Sequence, residues 1–286
     1  MSAEQLVVNG VVLGCIIALS AIGLSMTYRI LNFANLAHGD FVTLGAYAAF
    51  LFSASGNFNI FFAFALAVVA TSLFSMGLDV LVWKPMRSKG ATRTALMILS
   101  IGLALCIRNL IVFGFGPGIQ RYPLPLKEGM SIGSIVVTGY QLAVVAVALI
   151  LMVAIHRLLT KTTMGRAMRA LSDNTDLARV SGIDVDRVIR LTWAIGMALA
   201  AAAGVLYGLI TNVNPNMGWF MVIPIFSAAI LGGIGNPYGA MLGGMVIGLS
   251  QELSTLILPS EYKIAVSFFI MITVLLLRPE GIMGGR

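Results

Sequence analysis

The chain has 286 residues, 59% of them hydrophobic and only 10% charged, with a mean hydropathy of +0.97 and a formal net charge of +7. A soluble domain carries roughly 25% charged residues, so this composition excludes an ordinary soluble enzyme or binding module and indicates a membrane protein. The positive charges lie in short loops between apolar runs, the pattern of cytoplasmic loops and not of a nucleic-acid surface, so no nucleic-acid partner is expected.

Apolar runs fall at 6–28, 32–55, 58–83, 94–115, 137–159, 188–211, 219–235, 238–258 and 262–278. At about 20 residues per crossing they predict an all-α, polytopic transmembrane helical bundle of about nine spans, forming one domain over 1–286. The run at 219–235 is short and contains Pro224; if it is re-entrant, eight or ten spans become the alternatives. Residues 1–5 carry no positive charge, and the run after them is too long for a signal-peptide core, so it reads as the first span. The loop at 84–93, "KPMRSKGATR", holds four positive charges and no acid, and 156–190 is also Arg-rich; both are expected on the cytoplasmic side. Parity then places the C-terminus inside and the N-terminus outside. The Pro/Gly-rich loop 114–134, with Arg121, Lys127 and Glu128, is expected outside with a short hairpin. Gly-rich breaks near 39 and near 232–239 are candidate corresponding points of two halves.

Cys15 and Cys106 lie in separate apolar runs and read as packing thiols. With only two histidines and no Cys/His cluster, no metal site is expected. The chain lacks "GxxxxGK[ST]", "GxSxG" and "HExxH", so no catalytic constellation and no cofactor are expected, and any ATP hydrolysis must come from another subunit.

The long polar loop, about 160–187, reads as helix, turn, helix, with Thr163 and Asp173 as candidate caps and Gly182 as the stop. It is either an interfacial helix on lipid or a docking surface for a soluble partner. Within it, "DLARVSGI" has the spacing of the coupling loop of ABC-importer permeases, with Asp176 for the usual Glu, Leu177 and Ala178 for the two alanines, and Gly182 six positions after the acid. The downstream Leu-Pro of that motif is missing. Together with "GRAMRAL", "YRILNFANLAHGDFVTLGAY" and "AAILGGIGNPYGAMLGG", it resembles the branched-chain amino acid permeases of ABC importers, LivH type, over essentially the whole chain. One departure is the extra "NL" in "NFANLAHGD" relative to a compact "NFAHG".

The resemblance implies a permease subunit in a bacterial inner membrane, surrounded by lipid. It implies as partners two ATP-binding cassette subunits, a second homologous permease subunit and a periplasmic substrate-binding protein. Gly165, Arg166, Arg169, Asp176, Ala178, Arg179 and Gly182 are the expected coupling residues.

On a continuous helix, Asn32, Asn35, Gly39, Asp40, Thr43 and Tyr47 fall within one broad arc. Such a stripe is either inter-helix glue or a substrate route near the cytoplasmic end. Gly232, Gly233 and Gly235, with Pro237, break the helix, and either free backbone groups to line a cavity or make a tight inter-helix turn. Gln251, Glu252, Arg108 and Asn109 meet either a vestibule or interfacial water. A permease for urea, amides or sugars, and a secondary transporter or channel, remain the alternatives.

Overall fold

The computed structural model describes residues 2–56, 58–125, 129–133 and 135–284; Lys127 and Glu128 lie outside the described residues. Twelve α-helices and one hairpin make up the described chain. The helices are α1 (Ala3–Leu31), α2 (His38–Phe50), α3 (Ile60–Leu78), α4 (Lys84–Ser88), α5 (Arg93–Phe115), α6 (Gly139–Lys161), α7 (Thr163–Asp173), α8 (Thr175–Val180), α9 (Val185–Ile210), α10 (Met217–Gly232), α11 (Pro237–Leu253) and α12 (Lys263–Leu277). Strands β1 (Met130–Ile132) and β2 (Ile135–Val137) form the hairpin expected in the 114–134 loop, with Met130 opposite Val137. A π-helical turn, Asp79–Trp83, joins α3 to α4, and another, Leu51–Ser55, extends α2.

Among the described residues, six helical segments are long and apolar enough to cross a membrane: Ala3–Leu31, Ile60–Ser88, Arg93–Phe115, Gly139–Lys161, Val185–Ile210 and Ser260–Leu277. Helices α2, α10 and α11 are shorter, at 13, 16 and 17 residues. Helix α10 runs unbroken through Pro224. Basic residues gather at one end of the bundle, where Arg29, Lys84, Arg87, Arg93, Lys161 and Arg278 lie at helix ends. The other end carries the hairpin and the amide cluster of Gln5, Asn9 and Gln141.

Helices α1 and α9 are buried over most of their length, whereas α3, α5, α6 and α12 leave most of theirs uncovered. In lipid, apolar burial gives no net drive between helices, so close backbone contact has to supply it. Small residues provide that contact. A Cβ on Gly248 would strike the Gly14 backbone, one on Gly244 would strike Ala18, and one on Gly23 would lie 2.5 Å from the Gly196 carbonyl oxygen. The exposed side chains of Phe61, Leu73, Leu105, Phe113 and Phe269 form the apolar outer wall.

Two triplets, α1–α2–α3 and α9–α10–α11, are built alike and run in opposite directions. In each, a long buried helix ends, an irregular six-residue segment follows, and a short helix begins deep in the bundle. The segments are 32–37 and 211–216. This corrects the expectation that the glycines near 232–239 answer those near 39: the counterpart of the first break is 211–216. A Gly248→Leu substitution, which forces α1 away from α11, should reduce folded protein, with a cost of about 1–3 kcal/mol from overpacking. Detergent-extracted yield and the unfolding temperature of the purified protein check this; an unchanged unfolding temperature would contradict the close crossing.

Candidate functional site

The stretch 31–41 is not one helix. Asn32 adopts a left-handed conformation, φ 54°, and its N–H closes α1 on the Tyr28 carbonyl at 2.8 Å. The next residues turn back into the bundle. Phe33 packs its ring 5.2 Å from Trp83, which stacks on Trp193 at 5.2 Å and 15°. The Leu36 N–H donates to Ser100 Oγ on α5 at 3.1 Å. Asn35 Oδ1 accepts from the Ala37 N–H at 3.1 Å, and the Asn35 carbonyl accepts from the His38 N–H at 3.2 Å. Irregular backbone at membrane depth is tolerated where protein satisfies its polar groups, as happens here.

The second break repeats this chemistry. Asn214 Oδ1 accepts from the Asn216 N–H at 3.1 Å, and its carbonyl accepts from the Met217 N–H at 3.1 Å. The Phe41 N–H donates to the Ala37 carbonyl at 3.1 Å, and the Phe220 N–H to the Asn216 carbonyl at 3.2 Å. Both segments read Asn-x-x-x-Gly-x-Phe, "NLAHGDF" and "NPNMGWF". Val213 pairs with Gln120 through bonds of 2.8 and 3.0 Å, and the Tyr122 hydroxyl donates to the Ala46 carbonyl at 3.1 Å, tying the 116–125 loop over this second break.

The two short helices meet start to start. A Cβ on Gly39 would hit the Gly218 carbonyl oxygen, and one on Gly218 would hit that of Gly39. The Gly218 N–H donates to Thr43 Oγ1 at 3.0 Å. Asp40, fully buried in the first turn of α2, takes a bidentate pair from Arg108, Nε to Oδ1 at 3.0 Å and Nη2 to Oδ2 at 3.2 Å. The same guanidinium lies 4.7 Å from the ring centroid of Trp219. Asp40 and Trp219 each follow the crossing glycine, so Arg108 on α5 clamps both breaks. His38 Nε2 lies 2.9 Å from the Ser20 carbonyl oxygen; that oxygen only accepts, so Nε2 carries the proton.

The sequence-predicted residues therefore fall into separate places. Asn35, Gly39, Asp40, Thr43 and Tyr47 are buried at or just beyond the crossing. They lie well inside the bundle and not at its basic end, because 32–37 climbs back from the end of α1. Asn32 stays behind at the basic end. There it borders a cleft of about 690 Å³ with Gly235 and Asn236. Gly232, Gly233 and Gly235 form the α10–α11 turn. Gly233 and Gly235 have φ of 102° and 86°, and the Met283 N–H of the C-terminal tail donates to the Gly232 carbonyl at 3.1 Å. They lie at the far end of α10 from the crossing, as a tight turn.

In the polar loop, Thr162 caps α7 and Asn174 caps α8, each one residue from the expected cap, and Gly182 ends α8 at φ 84°. Gly165 lets α7 press on the Leu158 and Leu159 carbonyls, Arg169 donates to the latter, and Arg29 Nε donates to Ser172 Oγ at 3.1 Å. Arg166, Asp176 and Arg179 are exposed, as are Leu177 and Val180, while Ala178 is buried. Arg108, Glu252 and Gln251, left open by the sequence, all have partners: Asp40, Lys263 and Ser267. Asn109 donates to the Leu105 carbonyl at 2.8 Å. The second break escaped the sequence reading, although its Asn-x-x-x-Gly-x-Phe match to 35–41 was the available signal.

A family described as "Branched-chain amino acid transport system / permease component" matches residues 6–275. The chain belongs to that family. The permease is 35% identical over 98% of its length, and 95% of the relative's, to the high-affinity branched-chain amino acid transport system permease protein LivH of Escherichia coli K12. It is 33% identical, with the same coverage, to the corresponding permease protein BraD of Pseudomonas aeruginosa. A solved structure, PsaBC from Streptococcus pneumoniae in complex with Fab, matches at TM-score 0.53 and 12% identity, over 95% of this chain and 91% of that one. That likeness concerns the fold, an ABC-permease-like helical bundle. The permease is thus a multi-pass inner-membrane protein.

Removing one member of a buried ion pair leaves an uncompensated charge, at about 3–5 kcal/mol. Asp40→Leu and Arg108→Met should each lower the unfolding temperature of the purified permease, and the double variant should be less destabilised than either. A loss in the double variant equal to the sum of the two single losses would contradict a coupled pair.

Proposed function

We propose that the permease carries branched-chain or related hydrophobic amino acids inward, as one of two homologous permease subunits. Two ATP-binding cassette subunits drive it from the cytoplasm, and a periplasmic binding protein supplies substrate. The observation that carries the ATP-driven reading is the α7–α8 pair at the basic end. Its outer face presents Leu177 and Val180, 62% and 81% exposed, among Arg166, Asp176 and Arg179. Its inner face is fastened to α1 through Ser172 and to α6 through Arg169. An interfacial lipid helix needs no such rigid fastening, whereas a lever does. A push on α7 reaches α1, and α1 carries the break at 32–37 and the Ser20 contact to His38. The ATP-bound and free states of the ATPase must contact α8 differently for this to shift the crossing.

In this reading the chain crosses the membrane nine times, with its N-terminus outside. Helix α2 alone spans about 20 Å at 1.5 Å per residue, short of the roughly 30 Å hydrocarbon layer, and its π turn with the preceding segment makes up the difference. Six cationic helix-end residues at one end, named above, are the charge bias expected inside. Asn35, Gly39, Asp40 and Thr43 act at the crossing as a hinge that substrate passes, with Tyr47 behind them against Phe115 at 5.0 Å.

Two measurements check these statements. Leu177→Asp with Val180→Asp should abolish co-purification of the ATPase while the permease still inserts and folds; full retention of ATPase would overturn the docking role. In a background without Cys15 and Cys106, Ser172→Cys should resist a membrane-impermeant thiol reagent in intact cells, and Ser131→Cys should react. The reverse pattern would invert the orientation.

A further inference from the structure

At the end opposite the basic residues, α1, α9, α10, α11 and α12 enclose a cleft of about 550 Å³, within the roughly 300–1,000 Å³ range of small-molecule sites. Its lining is divided. Leu13, Ile17, Phe220 and Met221 make an apolar floor. One wall carries Glu252 and Lys263, joined Nζ to Oε1 at 2.5 Å, with side chains 11% and 28% exposed, and the exposed Glu261 lines the cleft as well. Asn9 and Gln141, the latter on α6, also line it, with Gln141 Nε2 donating to Asn9 Oδ1 at 3.2 Å.

An ion pair whose carboxylate is mostly buried and whose ammonium is partly exposed, at the end of a spanning helix, needs a reason, because apolar residues of similar size commonly stabilise as well or better. We propose that this cleft is a low-affinity site for a hydrophobic α-amino acid, whose carboxylate meets Lys263, whose ammonium meets Glu252 and whose side chain lies on the apolar floor. The assignment rests on the permease reading above and names the chemistry of one station on its route. A zwitterion is suited to an existing pair: it exchanges one ionic contact for two and leaves neither Glu252 nor Lys263 unpaired. A sugar or urea is neutral; it would leave the pair unused and set its polar groups against Phe220, Met221 and Ile17. The floor also connects the site to the crossing. Phe220 and Met221 lie two and three residues beyond Gly218 on α10, so an occupant bears directly on the helix that meets α2.

The test uses the complete transporter, with its ATPase subunits and binding protein, in proteoliposomes. Thr211→Cys, at the cleft wall and in a background without Cys15 and Cys106, reports occupancy by its labelling rate. Leucine should slow labelling, whereas 4-methyl-2-oxopentanoate, which lacks the ammonium, and isoamylamine, which lacks the carboxylate, should not. Glu252→Gln and Lys263→Met should each abolish the protection and lower leucine uptake per assembled complex by about tenfold to a hundredfold, the scale of one charge-assisted hydrogen bond. Leu13→Trp, which fills the floor and keeps the pair, should do the same, and it decides the matter if the charge variants fail to assemble. A wild-type complex that carries leucine beside variants that match it, with protection intact, overturns the site and leaves the permease reading standing. A wild-type complex that carries no amino acid overturns both.

Discussion

The crossing of Gly39 and Gly218 is the constraint on which the rest of the structure depends. Two helices begin there, each with its backbone against the other's carbonyl oxygen, and neither position has room for a Cβ. Helix starts carry partial positive charge from unpaired N–H groups, so bringing two together in a low-dielectric interior is unfavourable unless something compensates. Asp40 supplies the negative charge in the first turn of α2, and Thr43 Oγ1 accepts from the Gly218 N–H at 3.0 Å. The carboxylate would itself be costly if unpaired, and Arg108 meets it from α5 while its guanidinium rests over Trp219 of α10. Asp40, Arg108 and Trp219, with Thr43 and Gly218 beside them, thus form a connected set around the crossing.

For α2 and α10 to start deep in the bundle, the chain must reach that depth without helical hydrogen bonds. The two irregular segments do this, and each is held by outside partners: the first by Ser100 and the Trp83–Trp193 stack, the second by Gln120. The long helices α1 and α9 then have to lie close enough to enclose them. The Gly23–Gly196 approach allows it, and the Gly14, Gly244 and Gly248 contacts seat α11 on α1. Close backbone approach thus accounts for the glycines at 14, 23, 196, 244 and 248.

Helix α1 links the two ends of this arrangement. Its last turn holds Ser172 of α7 through Arg29, its middle holds His38 through Ser20, and its first half lines the cleft with Glu252 and Lys263. A single rod therefore touches the polar loop, the crossing and the opposite cleft.

The sequence by itself determined that the chain is a helical membrane protein, which of its ends is basic, and that 160–187 forms a capped helix pair. Those properties depend on composition, hydrophobic period and local caps, which act over a few residues. The family was legible too, from motifs spread along the whole chain. The place of the polar residues was not. A uniform helical wheel puts Asn32 through Tyr47 on one stripe, but Asn32 leaves the helix in a left-handed turn and the next five residues run irregularly. That choice is made by distant partners, Trp83, Trp193 and Ser100, whose positions no local pattern encodes. Likewise Asp40 found Arg108, 68 residues away, and Gly39 found Gly218. The glycines at 232–235 look alike in sequence to the one at 39, yet they close a turn at the far end of α10. Only the tertiary structure decides which backbones meet, because in lipid that choice rests on close contact between segments remote in the chain.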